Sequence, residues 1–176
     1  MASTINATTS SGIVATADNT GQLALQANGT TVMTVTSTGV TTQVGAPAFS
    51  AYAGTTTSLT GGAFTKVGLD TEEYDTNNNF ASSRFTPTVA GYYQLNGYVS
   101  INSNMQLVVT IYKNGAEYKR GSNVLTTSNG SMVSSLVYAN GTTDYFEIYA
   151  YAGTTVNSNT YTYWGCYFNG FLARSA

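Results

Sequence analysis

Apolar and polar positions alternate along most of the chain with the two-residue period of half-buried strands, not the 3.6-residue period of helices. From Gly91 to Ile101 the alternation sets Tyr93, Leu95, Val99 and Ile101 on one face and Tyr92, Gln94, Asn96 and Tyr98 on the other. From Gln106 to Lys113 it turns Leu107, Val109 and Ile111 inward. Asn114-Gly115 predicts a tight hairpin into Glu117 to Val124. Asn129-Gly130 precedes a strand from Met132 to Tyr138, and Asn140-Gly141 precedes one from Asp144 to Tyr151. Tyr163 to Leu172 is the last predicted strand. No stretch has helical spacing. Hairpin signals between alternating runs predict an antiparallel sandwich. Its expected core is Phe80, Phe85, Tyr93, Leu95, Val109, Ile111, Phe146, Ile148 and Phe168.

The first 45 residues read differently. They contain no Tyr, Phe or Trp and are rich in Thr, Ser, Ala, Gly, Val and Asn. Short strands are expected at Gly12 to Thr16, Gln22 to Gln26, Thr31 to Thr36 and Val40 to Thr42, with Asn28-Gly29 as a turn. Gly45-Ala46-Pro47 punctuates the chain. The expected organisation is a Thr-rich β arm, residues 1–45, followed by a β domain, residues 46–176. So few small apolar groups bury too little surface to fold alone, so the arm calls for partner chains.

Composition narrows the chemistry. Of 176 residues, 8% are charged, against about 25% in an average protein, and solubility rests on 30 Thr, 17 Ser and 16 Asn. The chain has no His, which removes His-based triads and His-ligated metals. Cys166 is the one cysteine, so no intrachain disulfide or Cys-metal site can form. Six dispersed basic residues and a net charge of −2 give no track for a nucleic-acid backbone. No apolar run approaches the ~20 residues of a membrane-spanning helix. Residues 1–14 lack the basic start and apolar block of a signal peptide, which predicts cytoplasmic synthesis. No cofactor is expected.

Three clusters bear on function. Leu69 to Asp75 holds four carboxylates and reads as a solvated acidic loop. Asp70, Glu72 and Asp75 are its weak metal candidates, because clustered oxygens can hold Ca²⁺. Asp75-x-Asn77-x-Asn79 begins like a calcium loop, but Phe80 and Thr86 stand where that loop needs Gly and Glu. Asp144 and Glu147 are offset by three, which on a strand turns them to opposite faces and argues against a catalytic pair. Lys113, Lys119 and Arg120 surround one hairpin and read as edge charges that discourage stray strand pairing. Asn6, Asn28, Asn129 and Asn140 begin glycosylation-type triplets. Three of these overlap Asn-Gly turn signals and read as turns.

Tyrosine is in excess, at 14 residues. Tyr92, Tyr98, Tyr112, Tyr145, Tyr149, Tyr151, Tyr163 and Tyr167 fall mostly opposite the inward positions and predict a contact surface, because Tyr buries area yet keeps a polar tip.

The second segment resembles the trimeric jelly roll of the TNF and complement globular-head superfamily. The resemblance rests on the opening Ala48-Phe49-Ser50-Ala51 and on the spacing of Phe80, Phe85, Pro87, Gly91, Tyr93 and Leu95. It rests also on Val109-Thr110-Ile111-Tyr112-Lys113-Asn114-Gly115 and on the closing Phe168-Asn169-Gly170-Phe171-Leu172. Leu95 replaces the family's usual Phe. The resemblance implies a homotrimer in which the tyrosines pack around a threefold axis, with stacking on a host-surface glycan as their competing use. The arm, from Thr16-Ala17-Asp18-Asn19-Thr20-Gly21 to Gln26 and on through Gly29-Thr30-Thr31, resembles short repeats of tailed-bacteriophage fibre and capsid-surface proteins. Together these imply a non-enzymatic virion-surface protein whose residues 1–45 contact capsid or other virion proteins. It would serve as a capsid decoration or cement protein, or else as a fibre tip.

Overall fold

The computed structural model describes residues 2–10, 12–43, 45–127, 130–160 and 165–176. The chain divides into two compact units, Met1–Ala46 and Pro47–Ala176.

The first unit is one five-stranded sheet. Its strands are β1 (Ser3–Thr8), β2 (Gly12–Thr16), β3 (Leu23–Ala27), β4 (Thr30–Val35) and β5 (Thr41–Gln43), in the order β2-β1-β3-β4-β5. Asn28 and Gly29 both take positive φ, 48° and 80°, as the two-residue turn between β3 and β4 requires. Strand β1 was not expected from the sequence. It pairs antiparallel with β2 and parallel with β3, so β1 lies between them and leaves β2 at the sheet edge. Among the described residues of this unit, Ala24 alone is buried.

The second unit opens with β6 (Ala48–Tyr52), β7 (Ser58–Leu59), β8 (Phe64–Lys66), β9 (Thr71–Asp75), β10 (Phe80–Ala81) and β11 (Arg84–Phe85). The long strands follow: β12 (Gly91–Ser100), β13 (Asn104–Lys113), β14 (Ala116–Thr127), β15 (Gly130–Ala139) and β16 (Phe146–Ala152), then β17 (Val156–Asn157) and β18 (Tyr167–Ser175). One sheet runs β15-β12-β18-β6-β9. The other runs β10-β11-β16-β13-β14, with β8 also paired to β16, and β17 pairs with β7. All of these pairings are antiparallel. The unit is an antiparallel jelly-roll sandwich.

Alternation builds the core between the sheets. Phe80, Phe85, Tyr93, Leu95, Val109, Ile111, Phe146, Ile148 and Phe168 are all buried there. Phe49 stacks on Phe85 with ring centroids 4.2 Å apart and on Phe80 at 5.2 Å. Gly97 lets the sheets approach. A Cβ at that position would stand 2.7 Å from Cγ2 of Ile148 on the opposite sheet. Cys166 is buried, and burial pushes its thiol pKa up.

Two expectations change. The acidic stretch is not a loop: Thr71–Asp75 is edge strand β9, paired with β6. Pairing with a buried strand supplies what local composition does not. Asp144 lies ahead of β16 rather than within it, where its Oδ2 accepts a bond from the Asn140 amide. The predicted last strand begins at Tyr167 among the described residues. Tyr163 lies outside them.

Candidate functional site

The seven described tyrosines of the predicted set do not share one surface. Tyr92, Tyr98 and Tyr167 lie on the outward face of the β15-β12-β18 sheet, whereas Tyr112, Tyr149 and Tyr151 lie on the outward face of the other sheet. Tyr145 stands off the strands under the Arg84 guanidinium, 3.9 Å from it. Tyr163 lies outside the described residues. Periodicity turns each side chain away from the core, but strand order decides which of the two sheets carries it.

The first face is built in rows across the strands. Met132, Tyr98 and Tyr167 are register partners and make one row, with Tyr98 and Tyr167 stacked at 5.5 Å. Ser134, Asn96 and Asn169 make the next. Leu136, Gln94 and Phe171 make a third, and Tyr138, Tyr92 and the exposed Arg174 a fourth, its two tyrosine rings 5.5 Å apart. Met132, Leu136 and Phe171 are each at least half exposed, at 50%, 53% and 50%. Tyr92 and Tyr138 are exposed as well. This is a sizeable apolar area in water, which is the mark of an interaction surface.

The polar row is internally bonded. Asn96 Nδ2 donates to Asn169 Oδ1 at 3.0 Å, and Ser134 Oγ donates to Asn96 Oδ1 at 2.8 Å. Gln94 Nε2 reaches into the row, donating to Ser134 Oγ at 2.9 Å and Asn96 Oδ1 at 3.1 Å. At the sheet's far side Ser50 Oγ donates to Glu73 Oε2 at 2.6 Å.

The second face is tighter and more charged. Tyr112 and Tyr149 stack with centroids 3.8 Å apart. Phe64 lies 6.1 Å from Tyr112 and 5.7 Å from Tyr151. Arg120 sits 5.4 Å over Phe64 and pairs with Glu117. Burial raises the phenol pKa of both Tyr112 and Tyr149, helped by Glu117 at the first and Glu147 at the second. Glu147, whose side chain is 3% exposed, holds Lys66 at 2.7 Å and Arg84 at 2.8 Å.

Asp70, Asp75, Asp144 and Glu147 are occupied by structural contacts. Asp70 Oδ2 accepts the Thr55 hydroxyl at 2.6 Å, and its Oδ1 accepts the Gly54 amide at 2.5 Å. These bonds hold its pKa below the usual value. Asp75 accepts the amides of Asn77 and Phe80, and Glu72 stands exposed on β9. Asp70, Glu72 and Asp75 do not converge, and no group of three potential ligands occurs among the described residues. Asp144 pairs with Lys113 at 2.9 Å while Glu147 pairs with Lys66 and Arg84, so the two carboxylates serve separate contacts. The chemistry of both faces is packing and hydrogen bonding.

The sequence reading missed Met132, Leu136, Tyr138 and Phe171 on the first face and Phe64 on the second. Met132 to Tyr138 carries apolar residues on both parities, Met132, Leu136 and Tyr138 on one and Val133 and Val137 on the other. Alternation there does not say which set is inward.

No protein-family model matches the chain, and no curated protein matches it by sequence. Solved structures do match the fold. The globular domain of zebrafish complement 1qA protein aligns with a TM-score of 0.55 at 19% identity, over 74% of this chain and 99% of that one. Murine APRIL aligns with a TM-score of 0.55 at 12% identity, over 72% and 98%. The Eiger TNF of S. frugiperda aligns with a TM-score of 0.54 at 9% identity, over 74% and 94%. The fold is the TNF and complement-head jelly roll.

Proposed function

We propose that this chain is a non-catalytic structural protein that assembles as a homotrimer on a virion surface. Residues 1–45 dock on capsid or other virion proteins, and the jelly-roll unit projects as a knob. The observation that carries this reading is the arm's lack of a core. Five strands bury Ala24 alone among its described residues, while Ile5, Ile13, Val14, Leu23, Val32 and Val40 are exposed. Such a sheet gains stability only when another surface covers it. The knob's apolar rows support self-association, and the TNF-like fold agrees with threefold packing. The arm's resemblance to phage fibre and capsid-surface repeats supports the virion, in the role of a decoration or cement protein.

The arm has few charges, so docking rests on main-chain pairing and apolar contact. It should weaken little between low and high salt, because screening acts on exposed charges. The test is a chain starting at Ala46, which should fold but fail to attach to particles. Particles lacking the protein should lose heat resistance and keep normal adsorption to host cells. The opposite pair of outcomes would identify a fibre tip that binds a host-surface glycan. One observation favours that second reading: Phe64, Tyr112, Tyr149 and Tyr151 cluster on the sheet opposite the first face.

A further inference from the structure

We infer that the arm is a two-faced sheet whose apolar face packs against the same face of the arms of other copies of this chain. The inference rests on the homotrimer reading and gives each face of the arm its own task. Pairing across the strands sorts the residues into rows. The middle row of one face is Ala15, Ile5, Leu25, Met33 and Gln43. On one side of it Leu23 and Val35 stand between Ser3 and Thr41, and on the other Ile13 stands beside Ala7, Ala27 and Thr30. The opposite face carries Thr16, Thr4, Ala24, Thr34 and Thr42, and next to them Val14, Asn6, Gln26 and Thr31. A register shift between Leu25 and Gln26 keeps Thr31 on that second face, where Gln26 Nε2 donates to its hydroxyl at 3.3 Å. Val14 apart, the large apolar groups of these rows gather on the first face, and the second face is mostly hydroxyls and amides.

The first face needs cover. Ile5, Ile13 and Leu23 on it are exposed, Ile13 at 77%, and a sheet with one apolar face buries it against another layer. Three observations choose a second copy as that layer. The face is small: five strands of about five residues cover roughly 24 Å by 17 Å, or about 400 Å². That is about half of the ~800 Å² per partner found where free proteins form a stable interface. The arm is also tethered. β5 ends at Gln43 and β6 begins at Ala48, so four residues join the arm to the knob. In a homotrimer of knobs such short links hold the three arms at about millimolar effective concentration, which lets a small face associate. Finally, the face carries no charged side chain. Asp18 is the only one in residues 1–45, and it lies between β2 and β3, accepting bonds from Ser3 and Thr20. Like faces therefore meet without like charges. The virion contact is left to the Thr-rich face and to the open β2 and β5 edges.

Cross-linking of cysteine variants of the full chain reads the two faces. Cys166 is buried, so the wild-type chain should not link. Leu25→Cys puts a thiol at the centre of the apolar face, and Thr34→Cys puts one on the opposite face of the neighbouring strand. Facing sheets stand about 10 Å apart, a gap that a short bis-maleimide reagent spans. Leu25→Cys should yield covalently joined chains on a denaturing gel, at a level about tenfold or more above Thr34→Cys. Met33→Cys, in the same row, decides the matter if Leu25→Cys does not fold. Linking through the apolar face alone supports the inference. Equal linking through both faces overturns it, as does no linking through the apolar face while light scattering reports three chains. A wild-type chain that is monomeric at micromolar concentration overturns the homotrimer reading itself, which is a distinguishable result.

Discussion

Phe168 on β18 meets Phe49 on β6 edge to face, with ring centroids 5.0 Å apart and planes at 74°. Phe49 in turn stacks on Phe85 across the sandwich, so these three rings tie both sheets together. Phe168→Ala should cost about 3–5 kcal/mol, the usual loss when a fully buried ring is deleted. Urea unfolding measures it. A cost below about 1 kcal/mol would mean the ring is not part of the core.

Gly97 is a spacing residue. A Cβ there would lie 2.7 Å from Ile148 Cγ2 and 3.3 Å from Val133 Cγ1. Gly97→Ala should therefore push the sheets apart and cost about 1–3 kcal/mol, as overpacked cores do. The outcome is a lower denaturant midpoint with the strand signal in circular dichroism retained.

The Glu147 carboxylate predicts an acid-sensitive contribution. Burial raises its pKa, but the bonds from Lys66 and Arg84 outweigh burial and hold it below the ordinary carboxylate value. A depressed folded-state pKa adds stability that is present above the unfolded pKa and is lost as pH falls through the folded one. Glu147→Gln should cost about 1–3 kcal/mol at neutral pH, less than a fully buried pair because Lys66 and Arg84 are partly in water. It should also flatten the loss of stability below about pH 4. Unfolding curves at several acid pH values distinguish the two slopes.

Tyr93 makes the opposite prediction at alkaline pH. Its ring is buried, its hydroxyl donates to the Val89 carbonyl at 2.7 Å, and burial pushes its pKa up to about 12. The folded chain thus keeps a proton that the unfolded chain releases near 10. Stability should fall as pH rises from about 10 to 12. Tyr93→Phe should cost about 1 kcal/mol at neutral pH through the lost hydrogen bond. It should remove that part of the alkaline slope, read from unfolding between those pH values.

These residues also show what the sequence discloses. Tyr93, Leu95, Val109 and Ile111 are legible because their strands have one face on the core, and a period of two then sorts inside from outside. The same period cannot assign Tyr98 and Tyr149 to different sheets, since that depends on strand order over the whole unit. Glu147 lies 81 residues from Lys66 and 63 from Arg84, so nothing local marks it as a buried partner of both. Strand β9 was hidden for a related reason. Its acidic residues disfavour strands locally, and its pairing with β6 overrides that preference.

Strand β18 lies between β12 and β6, in the interior of its sheet. During synthesis, β6 and β12 therefore wait for the segment that must be inserted between them. The sheet cannot close until Ser175 has been made. Until then the β6 and β12 edges that will receive it are open to other chains. Assembly of the knob thus waits on β18, and its most aggregation-exposed interval precedes the arrival of that strand.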